Sequence, residues 1–319
     1  MQIGSTLAVD RPARGARRDE GFVDEVSTGQ RGPAPPVTGR VPSTAGVSVA
    51  FHELGGDGPP VVMSHAAGFH GLVFAPLAAE LAGDHRCVSF DGRGHGDSEL
   101  PPGVEPDWPG LAADLLAVVD GLALDRPFAF GHSSGATVAL LAEEARPGTF
   151  RAVYCFEPVI VPADPPIGRD EANWLAAAAR RRRATFPSRA DALRHFASKP
   201  PLHTLAAEAR AAYVEHGFAD VPGSKGGGVR LKCRPEVEAV VYEMATAHDC
   251  WARLPDIACP VMIATGALSE GFLTEQAGAH AGRMPHGHRE VIEGVGHFGP
   301  LERPDVVAAA VRRFFGAVA

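Results

Sequence analysis

The stretch Phe128-Ala129-Phe130-Gly131-His132-Ser133-Ser134-Gly135 sets an apolar run against Gly-x-Ser-x-Gly, and a helix-forming run from Ala136 to Ala142 follows. A serine hydroxyl is a weak nucleophile in water. A sharp strand-to-helix turn holds it clear of the backbone, and Gly131 and Gly135 leave room for such a turn. The following helix aims its N-terminal N–H groups and positive dipole end at that serine. Acyl chemistry at Ser133 needs a base, a group that orients the base, and donors for an oxyanion. His297, in Gly294-Val295-Gly296-His297-Phe298-Gly299, is the candidate base among 14 histidines, because the glycines around it suggest a tight presenting loop. Glu157, in Phe156-Glu157-Pro158, is the candidate acid: a carboxylate ending an apolar run is hard to read as a solvated surface charge. The oxyanion donors are expected to be the backbone N–H groups of Ser134 and of Ala67, the latter in the loop His65-Ala66-Ala67-Gly68-Phe69. His65 reads as a brace for that loop.

The elements that must position these residues alternate. Val47–Phe51, Pro60–Ser64, Arg86–Phe90, Phe128–His132, Ala152–Phe156, Val261–Ala264 and His288–Ile292 read as strands. Helical spacing falls at Phe74–Leu81, Leu111–Leu122, after Ser133, in a short piece over 271–283, and over 304–317. Strand and helix repeated in this way predict an α/β fold, a mostly parallel, doubly wound sheet with ligands beyond the carboxyl ends of its strands. Residues 1–45, rich in Gly, Pro, Arg, Ser and Thr, read as a disordered or loosely packed tail. Residues 161–253 interrupt the alternation and read as a mainly helical cap, inserted into a core of 46–160 and 254–319. The four arginines Arg180 to Arg183 read as a solvated helix face, with an anion site as the alternative.

The totals exclude several functions. A net charge of -8 speaks against a nucleic-acid partner, and 45% hydrophobic with 21% charged residues fits a soluble globular protein. Five scattered cysteines form no CxxC pair and no cluster with histidine, so neither a metal nor a cofactor is expected. No apolar stretch approaches the roughly 20 residues that span a membrane, and the N-terminus lacks a signal-peptide core, so a cytoplasmic setting is expected.

Four pieces in this order, Ser64-His65-Ala66-Ala67-Gly68, Asp91-Gly92-Arg93-Gly94-His95-Gly96-Asp97-Ser98, Gly131-His132-Ser133-Ser134-Gly135 and Gly294-Val295-Gly296-His297, resemble the α/β-hydrolase superfamily. The likeness covers residues 46–160 and 254–319. It implies a catalytic triad of serine, acid and histidine, and an architectural Asp91–Ser98 loop that includes Arg93 and His95. The acid departs from the family pattern. Where members usually carry aspartate, this chain reads Gly266-Ala267-Leu268-Ser269, with Glu270 one residue late. Some members place the acid at the strand end that Glu157 occupies, also before proline. We therefore favour Glu157, with Glu270 as the alternative. A serine at the elbow excludes the alkyl-enzyme route of epoxide hydrolases and haloalkane dehalogenases. The expected activity is hydrolysis of a carboxylic ester or lactone through an acyl-serine. A C–C bond hydrolase, an amidase, a cofactor-free haloperoxidase and a slow-turnover ligand receptor are the alternatives. The cap aromatics Trp174, Phe186, Phe196, Tyr213, Phe218 and Tyr242 are expected to form the cap's own small core, with a few walling an apolar pocket for a small-molecule substrate.

Overall fold

A computed structural model describes residues 37–170, 173–222 and 228–318. Residues 1–36 of the expected tail, and 223–227 of the glycine-rich loop, lie outside the described residues.

In chain order, β1 (Val37–Pro42), β2 (Ser48–Gly55) and β3 (Pro60–Ser64) precede α1 (Ala75–Leu81), β4 (Arg86–Phe90) and α2 (Trp108–Gly121). The chain continues with β5 (Phe128–His132), α3 (Ser134–Ala145) and β6 (Val153–Phe156). An insertion follows: α4 (Trp174–Arg180), β7 (Thr185–Phe186), α5 (Arg189–Ala197), α6 (Ala207–Gly217), β8 (Phe218–Asp220), β9 (Val229–Leu231), α7 (Pro235–Glu243) and α8 (Cys250–Arg253). The chain then rejoins the sheet at β10 (Val261–Gly266), α9 (Phe272–Glu275), α10 (Ala277–Arg283), β11 (Gly287–Ile292), α11 (Gly299–Glu302) and α12 (Pro304–Val318).

The main sheet has the order β1-β2-β4-β3-β5-β6-β10-β11. It is parallel from β4 to β11, and β2 alone runs against the others, antiparallel to both of its neighbours, β1 and β4. Alternate side chains of each strand go to opposite faces. Phe128 and Phe130 of β5 pack with α1 and α12, while Ala129 packs with α2 and α3. Both faces are therefore apolar, which is why the parallel strands read as continuous apolar runs.

The expected start of the core at residue 46 is corrected. β1 pairs over six residues with β2, Val41 is buried, and Arg40 donates to the carbonyls of Ser48 and Asp97. The stretch was missed because an edge strand of Val-Thr-Gly-Arg-Val-Pro carries little apolar patterning. Ser43 and Thr44 then tie down the Arg93–Asp114 pair: the Ser43 hydroxyl lies 2.6 Å from Asp114, and Arg93 donates to Thr44 Oγ1 at 2.9 Å. This fixes where the chain can be cut. A chain beginning at Pro36 is expected to keep its kcat and its melting temperature. One beginning at Thr44 loses β1 and the burial of Val41, worth about 1.5–3 kcal/mol on its own, and should melt several degrees lower. Differential scanning calorimetry of the two chains checks this, and equal melting points would show β1 to be dispensable.

The insertion is helical with one addition. β7, β9 and β8 form a small antiparallel sheet, which strands of two or three residues could not announce in sequence. Phe186, Phe196, Tyr213 and Phe218 pack on one another with ring centroids 5.4–6.4 Å apart, and they join the same core as Phe69 and Phe74. The Trp108 indole, donating to the Met244 carbonyl at 2.6 Å, and the Ala206 N–H, donating to the Leu301 carbonyl at 2.8 Å, anchor the insertion further.

Candidate active site

Adjacent strands β5 and β6 end in register, with His132 opposite Phe156, so Ser133 and Glu157 leave the sheet side by side. Both are forced into positive φ, +54° at Ser133 and +49° at Glu157. Such a backbone costs about 1–3 kcal/mol per non-glycine residue, and it persists only where the surroundings hold it. Here they do: Ser133 N–H donates to the Phe156 carbonyl and Glu157 N–H to the Ala264 carbonyl, each at 2.9 Å. The elbow glycines are required by close approach. A Cβ at Gly131 would stand 2.4 Å from Ala136 Cα, and one at Gly135 would stand 2.2 Å from the Ser64 carbonyl oxygen. The start of α3 is thus pressed against the loop that follows β3.

Glu157 is buried and faces His297. Its Oε2 lies 2.6 Å from His297 Nδ1, and its Oε1 accepts from Gly266 N–H at 2.9 Å. Burial by itself would raise this carboxyl. The hydrogen bond and charge of His297, with smaller help from Ser269 and the Gly266 N–H, outweigh burial and hold it below its ordinary value. Glu270 remains exposed. Ser269, at the place where the family resemblance implies an aspartate, thus makes a minor contribution to the field of a carboxylate that arrives from β6. His132, next to the nucleophile candidate, donates from Nε2 to the His297 carbonyl at 2.8 Å and ties the histidine loop to the elbow. No sequence signal marked that role.

Ser134 and Ala67 line one small cavity of about 20 Å³ together with Ser64 and His65. Ser134 opens α3, where the first N–H groups have no partner within the helix. Two histidines brace the Ala67 loop. His65 bonds the Ala66 carbonyl through Nδ1 and accepts the Gly92 N–H on Nε2; His95 accepts the Gly68 N–H on Nε2 at 3.1 Å. The Asp91–Ser98 loop that carries His95 is itself fixed by Asp91, which accepts the Gly71 and Asp97 N–H groups at 2.7 and 2.8 Å. Arg93 is buried against Asp114, at 2.8 Å. From the insertion, Glu238 and Arg182 press on the same loop: a Cβ at Gly68 would meet Glu238 Oε1 at 2.6 Å, and Gly68 has φ +78°. That contact was not legible in the sequence, because it joins residues far apart in the chain.

Burial keeps several histidines neutral, His65 and His132 here, and His70 and His280, which bond the Tyr213 and Ile160 carbonyls. His65 and His132 are pushed down to about 3, and His70 and His280 to about 4. In the unfolded chain a histidine titrates near 6.5. Between pH 6.5 and 4 the unfolded chain therefore takes up protons that the folded chain refuses, and stability present at pH 7 is lost as the pH falls. Each histidine contributes up to about 1.4 kcal/mol per pH unit in that window. Urea midpoints measured at pH 7, 6 and 5 are expected to fall steeply, and a flat series would contradict the neutral assignment.

A cleft of about 700 Å³ shares Ala67 with the small cavity that Ser134 lines; neither Ser133 nor His297 is among its lining residues. Ala67, Phe69 and Phe298 form its wall on the core side, and Trp174, Phe196 and Tyr242 line it from the insertion. Phe186, Tyr213 and Phe218 belong to the aromatic cluster and do not line it. Among the described residues no group of three or more His, Cys, Asp or Glu could hold a metal ion, and no helix is long and apolar enough to cross a membrane.

Comparison with known proteins agrees with this architecture. Over 257 residues the chain is 24% identical to an esterase of Escherichia coli, covering 80% of this chain and 92% of that protein. It is 34% identical to human monoglyceride lipase over 106 residues, a stretch that spans only about a third (35%) of that relative's length. The crystal structure of E-2-(acetamidomethylene)succinate hydrolase superposes with a TM-score of 0.70 at 21% identity, covering 88% of this chain and 99% of the other, a likeness of fold. The family model described as "Alpha/beta hydrolase family" matches residues 61–310, and the chain therefore belongs to the alpha/beta hydrolase family.

Proposed function

We propose that the protein is a serine hydrolase that cleaves a carboxylic ester or lactone of a small to medium apolar substrate through an acyl-serine intermediate. The observation that carries this reading is the contact of buried Glu157 with the partly exposed His297 at 2.6 Å, at the strand end next to the strained Ser133. With Nδ1 committed to Glu157, His297 has Nε2 for the Ser133 proton. Ser133 Oγ attacks the substrate carbonyl. The negative charge that develops on the carbonyl oxygen is met by the Ala67 and Ser134 N–H groups. His297 returns the proton to the leaving alcohol, then activates water to release the acid and restore Ser133. The oxyanion donors are backbone groups held by the elbow and the braced loop, so little reorganisation is needed as charge builds.

Steady turnover of a p-nitrophenyl ester tests the reading. Multiple turnovers support hydrolysis, whereas a single stoichiometric burst would instead mark a slow, receptor-like protein. The insertion is proposed to act as a cap that sets substrate choice. Trp174→Ala and Tyr242→Ala, which alter the cleft, are expected to change the ratio of kcat/KM between butyrate and octanoate esters by about tenfold, one or two buried methylenes being worth that much. Phe218→Ala, outside the cleft, should lower stability and leave the ratio in place. Equal ratios in all three variants would leave the cap as a lid without a role in specificity.

A further inference from the structure

The mouth of the cleft carries charge that an apolar substrate does not call for. The run Arg180–Arg183 closes α4 and the turn after it, and its members have separate fates. Arg180 pairs with Glu243 at 2.6 Å. Arg182 is held by Glu238 and by the Tyr213 hydroxyl, with its side chain largely covered. Arg181 and Arg183 are exposed and line the cleft, and Lys199, from the chain after α5, joins them. The Arg183 guanidinium lies over the Phe186 ring, 4.4 Å from its centroid, and its Nε donates to the Thr185 carbonyl. Its terminal nitrogens are thereby presented in a fixed place. Among the described residues neither Arg181 nor Lys199 makes an ion pair, and the one carboxylate that lines the cleft, Glu238, is already held by Arg182. The other acid near Arg183 is Asp191, which binds Arg194 and Ser188. His195, also in the cleft wall, is lowered by burial and then by the charges of Arg183 and Lys199. Three cations thus share one concavity in a chain of net charge -8. A concave, partly apolar wall focuses their field, unlike a solvated helix face.

We propose that the cleft takes an amphiphilic substrate, apolar beside Ala67 and Phe298 and ending in an anionic group, a carboxylate or a phosphate, that docks on Arg181, Arg183 and Lys199. The proposal rests on reading this cleft as the substrate site of an ester hydrolase. The exposed Trp174 and Leu175 at the same mouth suit the apolar section. Arginine binds either anion through two N–H donors at once, whereas lysine adds a point charge.

Calorimetric titration of the full chain at low salt with octanoate, octyl phosphate and octanol tests this. Both anions, or the better-fitting one, should bind at least about tenfold more tightly than octanol, since exposed charge contacts are individually weak but three act together. The order of octanoate and octyl phosphate then identifies the head group. In the triple variant Arg181→Gln, Arg183→Gln, Lys199→Gln, and in the wild type at high salt, the preference should disappear while octanol binding persists. Equal affinity for the three ligands, no binding of any, or an anion preference that survives the triple substitution overturns the proposal. If octanoate binds in this charge-dependent way but no p-nitrophenyl ester turns over, the hydrolase reading fails and the anion site stands. Ester turnover without anion preference sinks the anion site alone.

Discussion

Ser133→Ala is expected to abolish labelling by a fluorophosphonate and to lower kcat on a p-nitrophenyl ester by about 10³-fold or more. The side chain lost is the hydroxyl at the strained turn, the proposed nucleophile, and the backbone that presents it stays in place, since the close contacts at Gly131 and Gly135 do not involve the Ser133 hydroxyl. Alanine also keeps the Ser133 N–H bond to the Phe156 carbonyl, so the fold should persist. His297→Ala should lose a similar factor, because the serine then has no base. The two losses should not add in the double variant, since the two groups act as one unit. Continued labelling of Ser133→Ala would place the nucleophile elsewhere. A loss below tenfold in His297→Ala would point to another base.

The second large effect is expected at Glu157. Glutamine keeps the size of the side chain and one oxygen for the Gly266 N–H, but it removes the charge that holds His297 Nδ1 as a donor. The imidazole then loses both its fixed tautomer and the stabilisation of its protonated form. A fall in kcat of about 10²- to 10⁴-fold is expected, by analogy with loss of the aspartate from a serine-protease triad. Glu270→Gln is the control: that side chain is exposed, and activity should stay within about twofold. Circular dichroism of both variants separates folding from chemistry. If Glu270→Gln were the more damaged enzyme while both remained folded, the acid would be the wrong one of the pair.

The candidate acid shows where reading the sequence reached its limit. Ser269 at the usual aspartate position signalled a departure, and Phe156-Glu157-Pro158 offered a replacement. A carboxylate's nearness to a histidine 140 positions away depends on which strands are neighbours. The order β5-β6-β10, with β6 and β10 in parallel register, puts the end of β6 between the elbow and the Gly266 N–H. Strand order is a property of the whole sheet, and local pattern does not carry it.

What the sequence determined by itself is what short-range chemistry controls. The strands Pro60–Ser64 and Arg86–Phe90 were legible to the residue, because strands buried on both faces must be apolar throughout. The elbow was legible because only glycine tolerates backbone atoms within 2.4 Å of where a Cβ would be. What tertiary structure decided is what depends on partners from distant parts of the chain. β1 is a strand because β2 offers it a ladder, not because its own residues demand one. Of four consecutive arginines, two are drawn into ion pairs by Glu243 and Glu238 on α7, and two are left at the mouth of the cleft. Their side chains are chemically identical, so the sequence could not tell them apart. The packing of α4 and the turn after it against α7 separates them, since only groups brought within about 4 Å of a carboxylate gain enough to give up water.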